Sequence, residues 1–98
     1  MDIKLRQELI DFCASRGWGN DHSGPNLARA IMVEAAELNR LFQWGVEPID
    51  GDDFENLSDE LADIAIYLEY LFVNYNINID RAVRKKIAKN AIKYPKTV

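Results

Sequence analysis

Two long stretches of this sequence, residues 25–44 and 57–75, carry apolar side chains on nearly every side of a predicted helix. A helix on the surface of a monomeric protein normally has one apolar stripe, because its other side faces water. Two further helices, predicted for residues 2–15 and from Asn78 to just before Pro95, are amphipathic and too short to cover both long ones. The sequence therefore predicts an all-α, four-helix bundle that is completed by homo-oligomerisation.

Local signals indicate where these helices begin and end. Gly17 suits a helix C-terminus, Pro25 suits a first helical turn, and Asn78 suits an N-cap. Residues 45–56 are rich in Gly, Pro and Asp, so we expect a loop there. The Asp52-x-x-Glu55 pattern in that loop resembles a capping box and predicts that the third helix begins at about residue 57.

Length and composition indicate one soluble domain spanning residues 1–98. Of the 98 residues, 48% are hydrophobic and 29% are charged, which is typical of globular proteins. The single cysteine, Cys13, excludes an internal disulfide and a cysteine-rich zinc site, and its helical context predicts a small buried hydrophobe. Charged residues interrupt every apolar run and no signal peptide is evident, so we expect a cytoplasmic protein without membrane contact.

Charge is unevenly distributed along the chain. The net charge is −4, eight acids lie between Glu47 and Asp63, and seven of the twelve basic residues lie between Arg81 and Lys96. Phosphate contacts usually dominate nucleic-acid affinity, so an acidic protein with one basic helix is a poor nucleic-acid binder. The same arrangement suits a small polyanion held between a metal ion and lysines.

Two acid pairs interrupt the most apolar helices, Glu34 with Glu37 and Glu60 with Asp63. Residues three apart in a helix project from one side, and both pairs share that side with core-type residues. A carboxylate is costly to bury unless it is paired, hydrogen-bonded or bound to a metal. If the two helices pack antiparallel, the four acids converge, and a purely carboxylate site favours Mg²⁺, with Mn²⁺ as a substitute, over zinc.

Two other interpretations of these acids remain open. A single acid pair on a helix is usually a solvated face, although two pairs on successive apolar helices are less easily explained in this way. A di-iron bundle would require two E-x-x-H motifs. The one histidine, His22, lies in a predicted loop, which argues against that site.

The fourth helix offers positive charge to complement the acids. Lys86, Lys89, Asn90 and Lys93 fall within one arc of about 100° of that helix. A solvated basic face is the simpler interpretation of any one of these lysines. Asn90, among them, is a candidate hydrogen-bonding group for a base or sugar edge.

Aromatic residues flank the acids along the sequence. Trp18 and Trp44 bracket the second helix, and Tyr67 lies one turn beyond Asp63 on the same side of the third. Aromatic rings are usually part of a core. Here they also lie where a nucleobase could stack.

These segments together resemble the MazG-like superfamily of all-α nucleoside triphosphate pyrophosphohydrolases, and especially its small dCTP pyrophosphatase branch. The resemblance extends from about Gly17 to Pro95, and its strength comes from the order and spacing of the segments. They are Arg16-Gly17-Trp18, His22, Pro25-Asn26-Leu27, Glu34-Ala35-Ala36-Glu37-Leu38, Leu41-Phe42-Gln43-Trp44, Asp59-Glu60-Leu61-Ala62-Asp63-Ile64, Lys86, Asn90 and Lys93-Tyr94-Pro95.

The resemblance implies that a (d)NTP is hydrolysed between its α and β phosphates, giving a nucleoside monophosphate and pyrophosphate. It implies a homodimer or homotetramer and a MazG-like bundle. Val33 precedes the first acid pair where many relatives have another glutamate, a feature shared with the dCTP-type branch. The implied roles are Mg²⁺ binding and catalysis by Glu34, Glu37, Glu60 and Asp63, phosphate contacts by Lys86 and Lys93, and a nucleoside pocket lined by Trp18, Trp44, Tyr67 and Asn90.

Two other functions are compatible with the same residues. A non-catalytic regulatory oligomer would bind nucleotide without turning it over. A purely structural dimerisation module would leave its acids solvated and would not respond to Mg²⁺.

Overall fold

A computed structural model describes residues 1–18, 22–45 and 47–97, and over these residues the chain is helical without a strand. This confirms the all-α prediction. The four α-helices are α1 (Ile3–Ser15), α2 (Gly24–Leu41), α3 (Gly51–Asn74) and α4 (Ile79–Lys93), and a short 3₁₀ turn, Gln43–Gly45, follows α2.

Side-chain caps begin three of the helices. The Asp2, Ser23 and Asn78 side chains accept hydrogen bonds from the backbone N–H three residues ahead, which otherwise has no partner in a first turn. Asn78 is thus the N-cap that the sequence predicts. Gly17 follows α1 with a φ of +68°, the left-handed conformation common just beyond a helix C-terminus.

The prediction of a loop over residues 45–56 is wrong in its second half, because α3 begins at Gly51. Asp52 and Asp53 lie in its first turn, where negative charge is stabilised by the N–H groups at the positive end of the helix. Residues 52–55 are therefore inside the helix and do not form its cap. The expected end of α2 at residue 44 is also too late, because regular α-helix stops at Leu41.

The centre of the fold is the packing of α2 against α3, the one extensive helix pair in the described part of the chain. The C-terminus of α3 lies beside the N-terminus of α2. Asn74 Nδ2 donates to the His22 carbonyl at 2.9 Å, and the Tyr75 hydroxyl occupies the space that a side chain on Gly24 would need. The two helices are therefore antiparallel, as the convergence of the acid pairs requires.

Helix α1 contacts α3 through two pairs of residues. The Arg6 guanidinium is paired with the carboxylate of Glu69, a residue that is only 4% exposed. The Cys13 thiol is buried, and burial together with the neighbouring Cys13 side chain raises the pKa of Tyr70 to about 12. Cys13 is thus buried as predicted.

Much apolar surface remains exposed on the single chain. In the helices, Leu27 and Cys13 are the fully buried apolar residues, whereas large side chains on all four helices face solvent. None of the described helices is both long enough and apolar enough to cross a bilayer. The exposed set includes Ile3, Met32, Val33, Phe54, Leu61, Leu68, Val83, Ile87 and Ile92.

Candidate active site

Three of the predicted acids meet where α2 packs against α3. Glu34 comes from α2, Glu60 and Asp63 come from α3, and one carboxylate oxygen of each lies within 4.8 Å of the others. Glu34 and Glu60 are half-buried, while Asp63 is exposed. The cluster therefore has an inner wall of two carboxylates and an opening to solvent at Asp63.

Glu60 shows the electrostatic conflict in this cluster. Its hydrogen bond to Glu34, burial, and repulsion from Glu34, Glu37 and Asp59 raise its pKa from 4.5 to about 6. Its Oε2 atom is buried and accepts no hydrogen bond from any residue that the structure describes. Like charges held together, with an oxygen atom lacking a donor, are the environment that a bound cation stabilises.

The donor set fits a hard divalent cation. All three groups are carboxylates, and oxygen-only ligation is the preference of Mg²⁺ and Mn²⁺, whereas zinc favours nitrogen and sulfur. Mg²⁺ usually takes one or two carboxylates from the protein and completes its coordination with water and substrate phosphates. The solvent-facing side at Asp63 leaves room for such ligands.

The fourth predicted acid, Glu37, lies outside this cluster. Its carboxylate faces Arg40, whose Nη1 atom is 3.3 Å from Oε2 and 3.4 Å from Oε1. Its negative charge still contributes to the raised pKa of Glu60. Glu37 is therefore near the three other acids but is paired with a neighbour on its own helix.

The predicted aromatic residues divide into two groups. Tyr67 is half-buried one helical turn beyond Asp63, and burial followed by the charges of Glu34 and Asp63 raises its pKa. Trp44 is 88% exposed and has a φ of +68°, an unusual backbone conformation for a bulky residue. Trp18 is also exposed and packs edge-on against Phe12, with ring centroids 5.6 Å apart.

The predicted groups on α4 do not contact the acids within one chain. Lys86, Lys89 and Lys93 are exposed and Asn90 is half-buried. Among residues 1–18, 22–45 and 47–97, these lysines form no ion pair with the four acids. Helix α4 makes few contacts with the rest of the chain, so a single copy does not bring its lysines onto the carboxylates.

Comparison with models of known protein families finds no match. The dCTP pyrophosphatase 1 of Rattus norvegicus is 33% identical over 97 residues, and that of Homo sapiens is 32% identical over 97 residues. Each alignment covers 93% of this chain and 57% of the relative, so the chain spans little more than half the length of these curated relatives.

A solved structure extends the comparison over nearly the whole fold. A pyrophosphatase from Archaeoglobus fulgidus superposes with a TM-score of 0.80 at 40% identity, covering 95% of this chain and 91% of that one. The chain belongs to the MazG-like pyrophosphatase family. The sequence motifs, the helical fold and the sequence identity all agree on this assignment.

Sequence reasoning did not assign a role to several polar residues of this MazG-like chain. The His22 ring packs edge-on against Tyr70 with centroids 4.4 Å apart, and its Nδ1 atom is buried without a hydrogen-bond partner among the described residues. Tyr70 and Asn74 lie four residues apart on one face of α3, and both contact His22. That spacing is visible in the sequence, but the partner, about 50 residues away, is not. Arg40 was also missed, although its position three residues after Glu37 could have indicated an ion pair.

Proposed function

We propose that this protein is a Mg²⁺-dependent nucleoside triphosphate pyrophosphohydrolase that converts a (d)NTP and water into a (d)NMP and pyrophosphate. The observation that supports this most directly is the convergence of Glu34, Glu60 and Asp63 within 4.8 Å. The names of the relatives make dCTP the first substrate to test, in a house-cleaning role on the nucleotide pool.

The proposed chemistry follows from the acids. Glu34, Glu60 and Asp63 would hold Mg²⁺, and the bound ion would supply positive charge that neutralises phosphate oxygens and polarises phosphorus. Water attacks at the α–β phosphoanhydride, the bond to the leaving oxygen breaks, and a carboxylate takes the proton of the water. Either Glu34 or Glu37 would orient this water, and Glu60, whose Oε2 atom is buried without a hydrogen-bond donor among the described residues, would bind the metal.

The remaining predicted residues would bind the nucleotide. Tyr67 lies one helical turn beyond Asp63 and would contact the sugar or base. Trp18 and Trp44 offer exposed rings for stacking. On α4, Lys86 and Lys93 would bind phosphates and Asn90 would bind the nucleoside, after α4 or a second copy brings them to the acids.

A homodimer or homotetramer is part of the proposal, because both central helices carry a second apolar stripe. Where two helices pack side by side, the residues at their interface, here called the seam, recur along each helix at alternating spacings of four and three. Such stripes lie mainly on exposed positions here, and a neighbouring copy would bury them. On α2 and the residue after it the stripe is Ala28, Met32, Ala35 and Phe42, interrupted by Asn39, and on α3 it is Phe54, Leu61, Ala65, Leu68 and Phe72, interrupted by Ser58.

The experiment is a panel of (d)NTPs incubated with the protein and Mg²⁺, with products identified by ³¹P NMR. We expect pyrophosphate and a monophosphate, loss of turnover with EDTA, and loss of turnover in Glu60→Gln. Glu55→Gln removes an exposed acid from the same helix and should retain activity. Orthophosphate with a diphosphate product would contradict the proposal.

The same panel separates the enzyme from a regulatory nucleotide-binding module. A regulatory module would bind dCTP in a direct binding assay, produce no monophosphate from any nucleotide, and retain much of its affinity in Glu60→Gln. A structural dimerisation module would show neither turnover nor a Mg²⁺-dependent change in melting temperature, whereas a ligand at 100 times its Kd adds about 2.7 kcal/mol to stability.

A further inference from the structure

Arg40 is the one basic side chain that is hydrogen-bonded to any of the four predicted acids in the described part of the chain. It follows Glu37 by one helical turn and contacts both oxygens of that carboxylate, at 3.3 and 3.4 Å. Both side chains of the pair are substantially solvent-exposed. The pair lies beside the three-acid cluster, because Glu37 is one helical turn from Glu34, a member of that cluster.

This ion pair is weak enough to be exchanged. Exposed ion pairs on a helix surface contribute little to stability, and contacts of 3.3 and 3.4 Å are long for a charge-assisted hydrogen bond. A divalent cation on Glu34, Glu60 and Asp63 would attract Glu37 more strongly than Arg40 does. The main free-energy cost of moving Glu37 is then that Arg40 loses its hydrogen-bonded carboxylate.

A nucleotide would supply that lost partner. A guanidinium binds phosphate oxygens through two parallel N–H bonds, and this geometry suits a polyphosphate better than a surface carboxylate at longer range. A triphosphate bound to a cation in the cluster would carry its negative charge beside the Glu37 turn of α2. Arg40 lies one turn beyond Glu37 on the same helix and is the cation that would meet that charge, since no α4 lysine forms an ion pair with the acids in the part of the chain that the structure describes.

We propose that Arg40 couples metal binding to nucleotide binding, and this inference rests on the proposed function. Without nucleotide, Arg40 holds Glu37 off the three-acid cluster, and the cluster binds Mg²⁺ weakly. When the magnesium–nucleotide complex binds, Glu37 moves to the cation and Arg40 moves to the phosphates. Arg40 is thus a positioning residue for Glu37 in one state and a phosphate-binding residue in the other.

The test measures binding, with Arg40→Gln as the variant and Arg29→Gln as its matched control. Arg29 lies on the same helix and also pairs with a residue three positions away, Asn26, at 3.0 Å. For each protein, Mn²⁺ affinity is measured by electron paramagnetic resonance, first alone and then with the non-hydrolysable analogue α,β-imido-dCTP. Affinity for the analogue with Mg²⁺ is measured by calorimetry.

For Arg40→Gln we expect Mn²⁺ alone to bind at least about threefold more tightly and the analogue to bind about tenfold more weakly, within the usual range of coupling between sites. In Arg40→Gln, the factor by which the analogue strengthens Mn²⁺ binding should therefore fall. In Arg29→Gln, both affinities and this factor should match those of wild type. An unchanged factor in Arg40→Gln, or an equal loss in both variants, would overturn the inference. If wild type hydrolyses dCTP while its Arg40→Gln variant retains full coupling, only the role of Arg40 fails; if wild type binds neither Mn²⁺ nor the analogue, the proposed function fails as well.

Discussion

At the scale of single residues, the position of Glu60 determines how the free protein responds to pH. Its carboxyl group is half-buried beside Glu34, and its pKa is raised to about 6. In the unfolded chain the same group titrates near 4.5. Between these values the folded protein binds more protons than the unfolded chain, so this group makes stability fall as pH rises through that window.

This predicts a pH-dependent difference between wild type and Glu60→Gln in the absence of divalent ions. The melting temperature of wild type should fall between pH 5 and pH 7, because Glu60 ionises next to Glu34 over this range. The melting temperature of Glu60→Gln should fall less, because its amide stays neutral and can donate a hydrogen bond to Glu34. Circular dichroism melts in EDTA measure the difference, and parallel curves for the two proteins would refute the assignment.

Adding Mg²⁺ at pH 7 gives the complementary result. The melting temperature of wild type should rise, because the cation relieves the repulsion among the carboxylates, and that of Glu60→Gln should rise much less. Glu55→Gln, which removes an exposed acid of the same helix, should behave as wild type does. An equal Mg²⁺ response in all three proteins would show that the ion acts elsewhere.

The sequence predicted most of this cluster but not all of it. Glu34, Glu60 and Asp63 could be predicted to converge, because each projects from an apolar face of its helix. The separation of Glu37 from them could not be predicted, because its choice between the cluster and Arg40 is a competition among exposed rotamers of similar energy. His22 was missed because its contacts with Tyr70 and Asn74 join distant parts of the chain.

At the scale of helices, the end of α3 is fixed by a backbone motif at Asn76. The Ile77 N–H donates to the Phe72 carbonyl at 2.9 Å and the Asn76 N–H donates to the Val73 carbonyl at 3.1 Å, with Asn76 at a φ of +52°. This is the Schellman arrangement, in which a left-handed residue satisfies the last carbonyls of the helix. Glycine adopts that conformation without steric cost.

We therefore expect opposite effects from two Asn→Gly substitutions. Asn76→Gly should stabilise the fold by up to about 0.5–1 kcal/mol, and Asn76→Ala should destabilise it by about 1 kcal/mol. Asn56→Gly, at an exposed position in the second turn of α3, should cost a few tenths of a kcal/mol through lost helix propensity. Urea unfolding at one protein concentration measures all three, and destabilisation by Asn76→Gly would contradict this description of the turn.

The attachment of α1 depends on the pair between Arg6 and Glu69. Arg6→Met should destabilise the fold by roughly 2–3 kcal/mol, below the range for fully buried pairs because part of the Arg6 side chain is exposed. Replacing both residues, Arg6→Met with Glu69→Leu, should recover most of that loss, since no uncompensated carboxylate remains. Urea unfolding of the two variants checks this, and a double variant as unstable as the single one would be evidence against it.

The existence of each helix could be predicted from the sequence, because apolar periodicity, capping residues and helix-breaking residues are all local features of the chain. Asn78 and Gly17 each occupy the terminal position that their residue type favours. The start of α3 was missed because residues 45–56 have a loop-like composition, while Asp52 and Asp53 stabilise the first turn through their charge. Aspartate residues therefore stabilise a helix when they lie in its first turn, although they disfavour a helix when they lie in its middle.

At the scale of the whole molecule, the exposed stripes of α2 and α3 make the isolated chain incomplete. The sequence indicated too much apolar surface for one copy, but a helix that is apolar all round does not show which side meets its own chain. The structure distinguishes the two sides, because Leu27 and Glu34 face inward while Met32 and Leu61 face solvent. Oligomerisation, like a cytoplasmic location, stays a prediction.

Light scattering of the purified protein should give the mass of two or four chains. Leu61→Glu, within the α3 stripe, should lower that mass at micromolar concentration, because a charge would be buried in the seam. Ala62→Glu, at the next position and on a different side of α3, should leave the mass unchanged. A wild-type monomer, or equal effects of the two substitutions, would show that these stripes do not form the interface.

The central claim is that the acids of α2 and α3 form a site for a divalent cation, and a crystal grown with Mn²⁺ tests it most directly. Data collected at the manganese absorption edge should show an anomalous peak bonded to carboxylate oxygens of Glu34, Glu60 and Asp63. A Glu60→Gln crystal treated in the same way should show that peak weakened or absent. Wild-type crystals with no peak at this position, and with the three carboxylates turned into solvent, would contradict the account.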